Sequence, residues 1–291
     1  FSNKDEPVAQ VTPPISITFQ TLDCSTDRVK SESDMAPIPI TEVNPVTGPI
    51  YINGANPGDA LAVKIQDIRL GSQAHIRLIP GSGICRDRVK AQRIKICRII
   101  NGIVEFSPHI RIPVRPMVGT IGTAPLGAPI HTVYGGPPGG NLDNSLVAPG
   151  ATIYLPVFVP GALLALGDVH ACMGDGELCG LALETNGEVD VEVHLLRGVA
   201  LPAPFGENDE VIFGCGFYPT PWEAIEGVST LFADFLVKRF GLSLEEAVLL
   251  ISAVADLRVC QCQPGGENIG VSVRIELPKR ILGMRAEGRL F

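Results

Sequence analysis

Between Gly167 and Gly180 the sequence Gly-Asp-Val-His-Ala-Cys-Met-Gly-Asp-Gly-Glu-Leu-Cys-Gly places the carboxylates of Asp168, Asp175 and Glu177 and the imidazole of His170 in one glycine-punctuated stretch. Asp168 and His170 stand two apart, so on an extended backbone they project to the same face. That spacing suits two ligands of one metal ion. Glu177 follows a Gly174-Asp175-Gly176 turn that can fold the chain back towards the pair. Oxygen and nitrogen ligands with one position left open are the arrangement of a hydrolytic zinc site. Plainer readings compete with this one. Acid–glycine sequence also makes ordinary β-turns, and a single histidine can be a satisfied core or surface residue.

The elements that must hold this segment are mostly short strands. Ile15–Leu22 alternates, with Ile15, Ile17 and Phe19 on one face, as a half-buried strand does. The turn Asn44-Pro45-Val46-Thr47-Gly48-Pro49 leads into Ile50–Ile52, and the turn Ala55–Asp59 precedes a strand over Ala60–Ile68. Turn signals this closely spaced argue for a sandwich or barrel. From Pro113 to Gly140 the chain is rich in glycine and proline, the composition of a long functional loop or lid. Leu155–Val159 and Ala162–Ala165 are apolar strand candidates leading into the acidic segment, and Val189–Leu196 is a further strand.

Helix signals are confined to the C-terminal third. Thr220-Pro221-Trp222-Glu223 and Ser243-Leu244-Glu245-Glu246 both read as capping boxes. They predict helices over Pro221–Phe240 and Leu244–Leu257, the second apolar almost all round and therefore buried. Ile269–Glu276 closes as a strand. The expected fold is α+β and β-rich: a sandwich- or barrel-like N-terminal part over residues 1–150, then a mixed β-α-α-β part over 151–291 that carries the acidic segment.

Composition narrows the function. The 291 residues carry a net charge of −8, which argues against a nucleic-acid partner. The densest basic stretch, Arg86 to Arg98, is interrupted by apolar residues and reads as a solvated face. No apolar run is long enough to span a bilayer. The eight cysteines include no CxxC pair, and in a chain of this length they read as reduced thiols, which favours the cytoplasm. The first residue is Phe1 and not Met, so a preceding segment is expected to be missing.

The block Gly-Asp-x-His-Ala-x-x-Gly-Asp-Gly-Glu, preceded by Leu155-Pro156-Val157-Phe158-Val159-Pro160-Gly161-Ala162, resembles the signature of the acetamidase/formamidase family. The resemblance extends to Leu22-Asp23-Cys24, to Asn44–Pro49, to Gly54-Ala55-x-Pro57-Gly58-Asp59 and to Gly139-Gly140-Asn141-Leu142-Asp143, in the family's order. It implies hydrolysis of a small linear amide, acetamide or formamide, to carboxylate and ammonia by a homodimer or higher homo-oligomer. Metal catalysis then needs a metal-bound water, a base and an oxyanion donor. On this reading Asp143, Asp168 and His170 hold a divalent metal, zinc first and calcium as the alternative. Glu177 is the general base with Asp175 in reserve, and Asn141 donates to the oxyanion. Gly139 and Gly140 would allow close backbone approach. Two departures stand out: Pro138 where many members have histidine, and Met173 where many have glutamine. They support a rival reading, a catalytically degenerate member that binds metal or serves as a scaffold. A second rival is a covalent mechanism on Cys172, two residues after His170; side chains along one strand seldom make a nucleophile–base pair.

Overall fold

A computed structural model describes residues 1–262, 270–284 and 289–291. Among these described residues the strands form two sheets, and the fold is α+β and β-rich. In the eleven-stranded sheet the central run is Gly139–Asn141, Met117–Gly122, Leu164–Cys172, Leu183–Thr185 and Gln73–Leu78, continued by the Arg93–Ile100, Ile103–Ser107 and Ile110–Pro113 meander. The eight-stranded sheet runs Asp256–Cys262, Val271–Pro278, Val211–Tyr218, Phe205–Glu207, Thr152–Pro156, Ala60–Leu70, Gly187–Leu196 and Ile15–Thr21. Each sheet takes strands from both sides of residue 150, so the division expected at that position does not follow the sheets.

Alternation explains the layering. Along Ala60–Leu70, Leu61, Val63 and Ile65 pack between the two sheets with Val118, Ile121, Leu166 and Val169. Ala60 and Ala62 point the other way, to a second core beneath two helices. Over residues 60–63 odd and even positions are both apolar and both faces are buried, while further along Lys64, Gln66 and Arg69 turn the second face to solvent. The second core is built from Tyr154, Phe205, Ile212, Val273 and Ile275 of the sheet and from Phe232, Phe235 and Leu236 of the first helix.

That helix, α1, spans Pro221–Phe240 and α2 spans Leu244–Val254. Both starts fall where the caps place them. Only α2 closes a full capping box; in α1 the Thr220 hydroxyl accepts from the Glu223 amide and donates to the Glu223 carboxylate, at 2.7 Å, instead of leaving that carboxylate to cap the backbone. α2 stops three residues short of Leu257, because Ala255 is extended and a strand begins at Asp256. The expected burial of α2 is overturned. Only Ala247 is buried and Leu249 is 70% exposed, since α2 lies outermost and packs through one side. Within the glycine- and proline-rich stretch, Met117–Gly122 is a fully buried central strand and not loop. The closing strand spans Val271–Pro278; the expected start at Ile269 lies outside the described residues. Among the described residues no helix is long and apolar enough to cross a membrane.

Candidate active site

The acidic segment enters the molecule on the Leu164–Cys172 strand, where eight of nine residues are buried. Its neighbours supply the rest of the site. Met117–Gly122 pairs on one side and Leu183–Thr185 on the other, which sets Glu184 directly opposite His170. His170 Nε2 lies 3.4 Å from Asp168 Oδ1, 3.4 Å from Glu184 Oε2 and 4.0 Å from Asp143 Oδ1. Asp143 arrives from the loop after Gly139–Asn141, its amide and that of Leu142 both donating to the Gly119 carbonyl at 3.0 Å. Gly119 is required here for space: a Cβ on it would stand 2.7 Å from both Asp143 Oδ1 and Asp168 Oδ2.

The Gly174–Glu177 turn folds back as expected. Gly176 is clamped to the Asp256–Cys262 strand by a bond from its amide to Cys260 O, at 3.0 Å, and one from the Cys262 amide to its carbonyl, at 2.9 Å. Glu177 thereby reaches the centre, where Gln261 Nε2 donates to its Oε2 at 3.1 Å. Ligand atoms of Asp143, Asp168 and His170 lie within 4.8 Å of one another, as do those of His170, Glu177 and Glu184, and those of Cys24, Asp168 and Glu184. Asn44, Asp143, Asp168 and Glu177 all have left-handed backbones, with φ of 49°, 43°, 59° and 42°. Asn and Asp tolerate that region through local hydrogen bonds, while at Glu177 it is strain that the rest of the structure must hold.

Electrostatics mark the cluster further. Burial pushes Asp143 well above the usual carboxylate range, with the charges of Glu177 and Asp168 adding to it. Burial raises Glu177 to about 8 and Glu184 to about 7. Burial works against the His170 charge, but Glu184 and Asp168 outweigh it and hold the imidazole well above its ordinary value. Asp143 Oδ1, Asp168 Oδ1, Glu184 Oε2 and both ring nitrogens of His170 are buried without a hydrogen-bond partner among the described residues. Protein interiors rarely leave such groups unmatched, because each costs about 1–3 kcal/mol.

Around this cluster stand carboxamides. The Asn141 Oδ1 receives Asn44 Nδ2 at 3.3 Å and lies 2.7 Å from the Thr120 hydroxyl, so its amide N–H groups are the end left for another molecule. Asn44 Nδ2 also reaches Asp168 Oδ2 at 3.2 Å. Asp175 is placed elsewhere. Arg274 holds it from two nitrogens at 2.9 and 2.7 Å, and Ser145 donates at 2.8 Å, so that despite partial burial its carboxyl stays below the ordinary range. It ties the turn to the Val271–Pro278 strand. Gly139 packs against the carbonyl of Ile121 and so serves strand approach. Cys172 follows a bulge after His170 and packs with Ala74, Cys97 and Leu183, its sulfur 3.6 Å from Arg115.

The acetamidase/formamidase family model matches residues 4–128 and 127–247. The chain belongs to the acetamidase/formamidase family. Family likeness extends to solved structures: an acetamidase from Bacillus halodurans is 36% identical, with a TM-score of 0.93 over 97% of this chain and 95% of that one. An acetamidase from Yersinia enterocolitica is 28% identical, with a TM-score of 0.88 over 97% and 88% of the two chains. A formamidase from Methylophilus methylotrophus is 25% identical over 277 residues, 75% of this chain and 64% of that protein. The chain spans less than two thirds of the length of the curated relatives it first matches.

Within this family member the structure brings together Asn141, Asp143, Asp168, His170 and Glu177 and leaves Asp175 on its arginine. Reading the sequence missed Glu184, Cys24, Asn44 and Gln261 as neighbours of the centre. Glu184 carried one faint signal, a carboxylate set in the apolar run Leu181-Ala182-Leu183. Gln261 carried none.

Proposed function

We propose that the chain hydrolyses a small carboxylic amide to carboxylate and ammonia at a divalent metal ion held by Asp143, Asp168 and His170. The observation that carries this reading is the set of buried, unpartnered oxygen and nitrogen atoms converging on His170. Once deprotonated, these carboxylate oxygens and an imidazole nitrogen are the ligand types of a divalent cation. One imidazole among carboxylates suits zinc; calcium prefers six to eight oxygens. When bound, the ion polarises the amide carbonyl and lowers the pKa of water towards ~7.

The chain's own residues do the rest. Glu177, buried beside His170, is placed to take a proton from water and return it to the departing nitrogen. Gln261 fixes which way its carboxylate points. Asn141, its oxygen anchored by Thr120 and Asn44, turns amide N–H groups towards the developing oxyanion. A bond forms from the water oxygen to the carbonyl carbon, the C–N bond breaks, and nitrogen leaves as ammonia with the proton Glu177 carried.

The test is ammonia release from formamide and acetamide, with metal content measured in parallel. Chelation is expected to abolish turnover and added zinc to restore it, while His170→Ala should lose both metal and activity. Full metal content and full turnover in His170→Ala would refute the assignment.

A further inference from the structure

A cavity of about 340 Å³ lies beside the centre, separated from it by the residues that bond its carboxylates. Cys24, Asn44, Asn141 and Gln261 line it, and Asn44 and Gln261 are the residues that bond Asp168 and Glu177. Its walls include Ile38, Val43, Ile79, Val133 and Leu181. A water takes about 30 Å³ of liquid volume, and acetamide only a few times that. Formamide or acetamide would leave most of this space unfilled.

Arg77 also lines the cavity. It lies two residues from His75 on the Gln73–Leu78 strand, and His75 pairs with Glu184 across the ladder, so Arg77 sits one step further along the face that carries the centre. Its charge is felt at the Cys24 thiol. Its Nε is buried without a hydrogen bond, and among the described residues the guanidinium has no ion pair. Arg77 is half-buried, and a guanidinium facing a cavity without a partner presents a planar fork that matches a carboxylate.

A second observation points the same way. Ile79 and Gln92, at the two ends of the segment between strands, both line the cavity, and the segment exposes Arg86, Arg88 and Lys90 against a single acid, Asp87. In a chain of net charge −8 this loop, whose two ends line the cavity, carries a local excess of positive charge of the kind that steers anions.

We infer that the cavity takes an amide whose far end is a carboxylate, an amic acid, with Arg77 reading that carboxylate. This rests on the amidase reading above and narrows its substrate class. The reaction is unchanged: the amic acid's anion and water give a dicarboxylate and ammonium, the C–N bond exchanged for C–O.

The experiment compares succinamate with pentanamide and glutaramate with hexanamide, each anion against a neutral amide of similar length, with acetamide alongside. At low salt kcat/KM is expected to favour the better anion by about tenfold or more, as one charge-assisted pair allows. Arg77→Met should bring that ratio to about one, Arg77→Lys should keep part of it, and added salt should lower it. A wild-type ratio at or below one overturns the inference, as does Arg77→Met slowing both members of a pair by one factor, which would mean the arginine only offsets the charge of the centre. Acetamide turnover without anion preference refutes the substrate class alone; no turnover of any amide refutes the amidase reading with it.

Discussion

Gly119 lies on the floor of the carboxylate cluster, between Val118 and Thr120, which pair with Val169 and Gly167. Gly119→Ala adds one methyl group at a position whose φ is not in the left-handed region, so the change is steric and not conformational. The new Cβ would meet Asp143 Oδ1 and Asp168 Oδ2 at 2.7 Å and the Asp168 carbonyl at 3.0 Å. Ordinary contact begins at 3.4 Å, so both carboxylates must retreat by 3.4 − 2.7 = 0.7 Å. A misplacement near 1 Å in a catalytic constellation can lower rates by about 10²-fold, so kcat/KM for acetamide should fall roughly 10- to 100-fold. Overpacking of this kind destabilises by about 1–3 kcal/mol, a few degrees in Tm for a chain of this size. Gly127→Ala, where nothing lies within 4 Å, is the control and should match the wild type. The assay is ammonia release with Tm and metal content on the same preparations. A Gly119→Ala protein within about twofold of wild type in kcat/KM and unchanged in Tm would refute the geometry on which the site is built.

Cys172→Ser should retain most turnover, because that sulfur faces Arg115 and the Ala74–Cys97 packing and not the centre; collapse of turnover in a folded, metal-loaded variant would restore the thiolate mechanism. The metal-free protein should lose stability as pH rises. Glu177 and Glu184 titrate at about 8 and about 7 in the folded state against about 4.3 unfolded, so the folded state holds the extra protons between those values. The elevated His170 acts in the same direction. Tm under chelation should therefore fall from pH 5 through pH 8, and bound metal should flatten the slope. A chelated Tm that holds or rises across this range contradicts the buried-carboxylate account.

What the sequence by itself determined is what depends on neighbours along the chain. The caps at Thr220 and Ser243 place both helix starts because capping is settled within one turn. Asp168 and His170, close in sequence, do meet, and the Gly174–Gly176 turn returns Glu177 to them, although Asp168 reaches His170 from a left-handed backbone and not by plain strand alternation. Other features needed the whole fold. α2 is apolar enough to be core, yet which of its sides meets a partner was decided by where the layers end. Asp175 and Glu177 are indistinguishable in sequence, two acids around one glycine; Arg274, from a strand that forms almost a hundred residues later, takes one and leaves the other. Glu184 joins His170 only through the register of their ladder, and Gln261 meets Glu177 only because a distant strand clamps the turn. The elevated carboxyls exist nowhere in the unfolded chain, since the water that would keep them ordinary is excluded only when both sheets have closed over them.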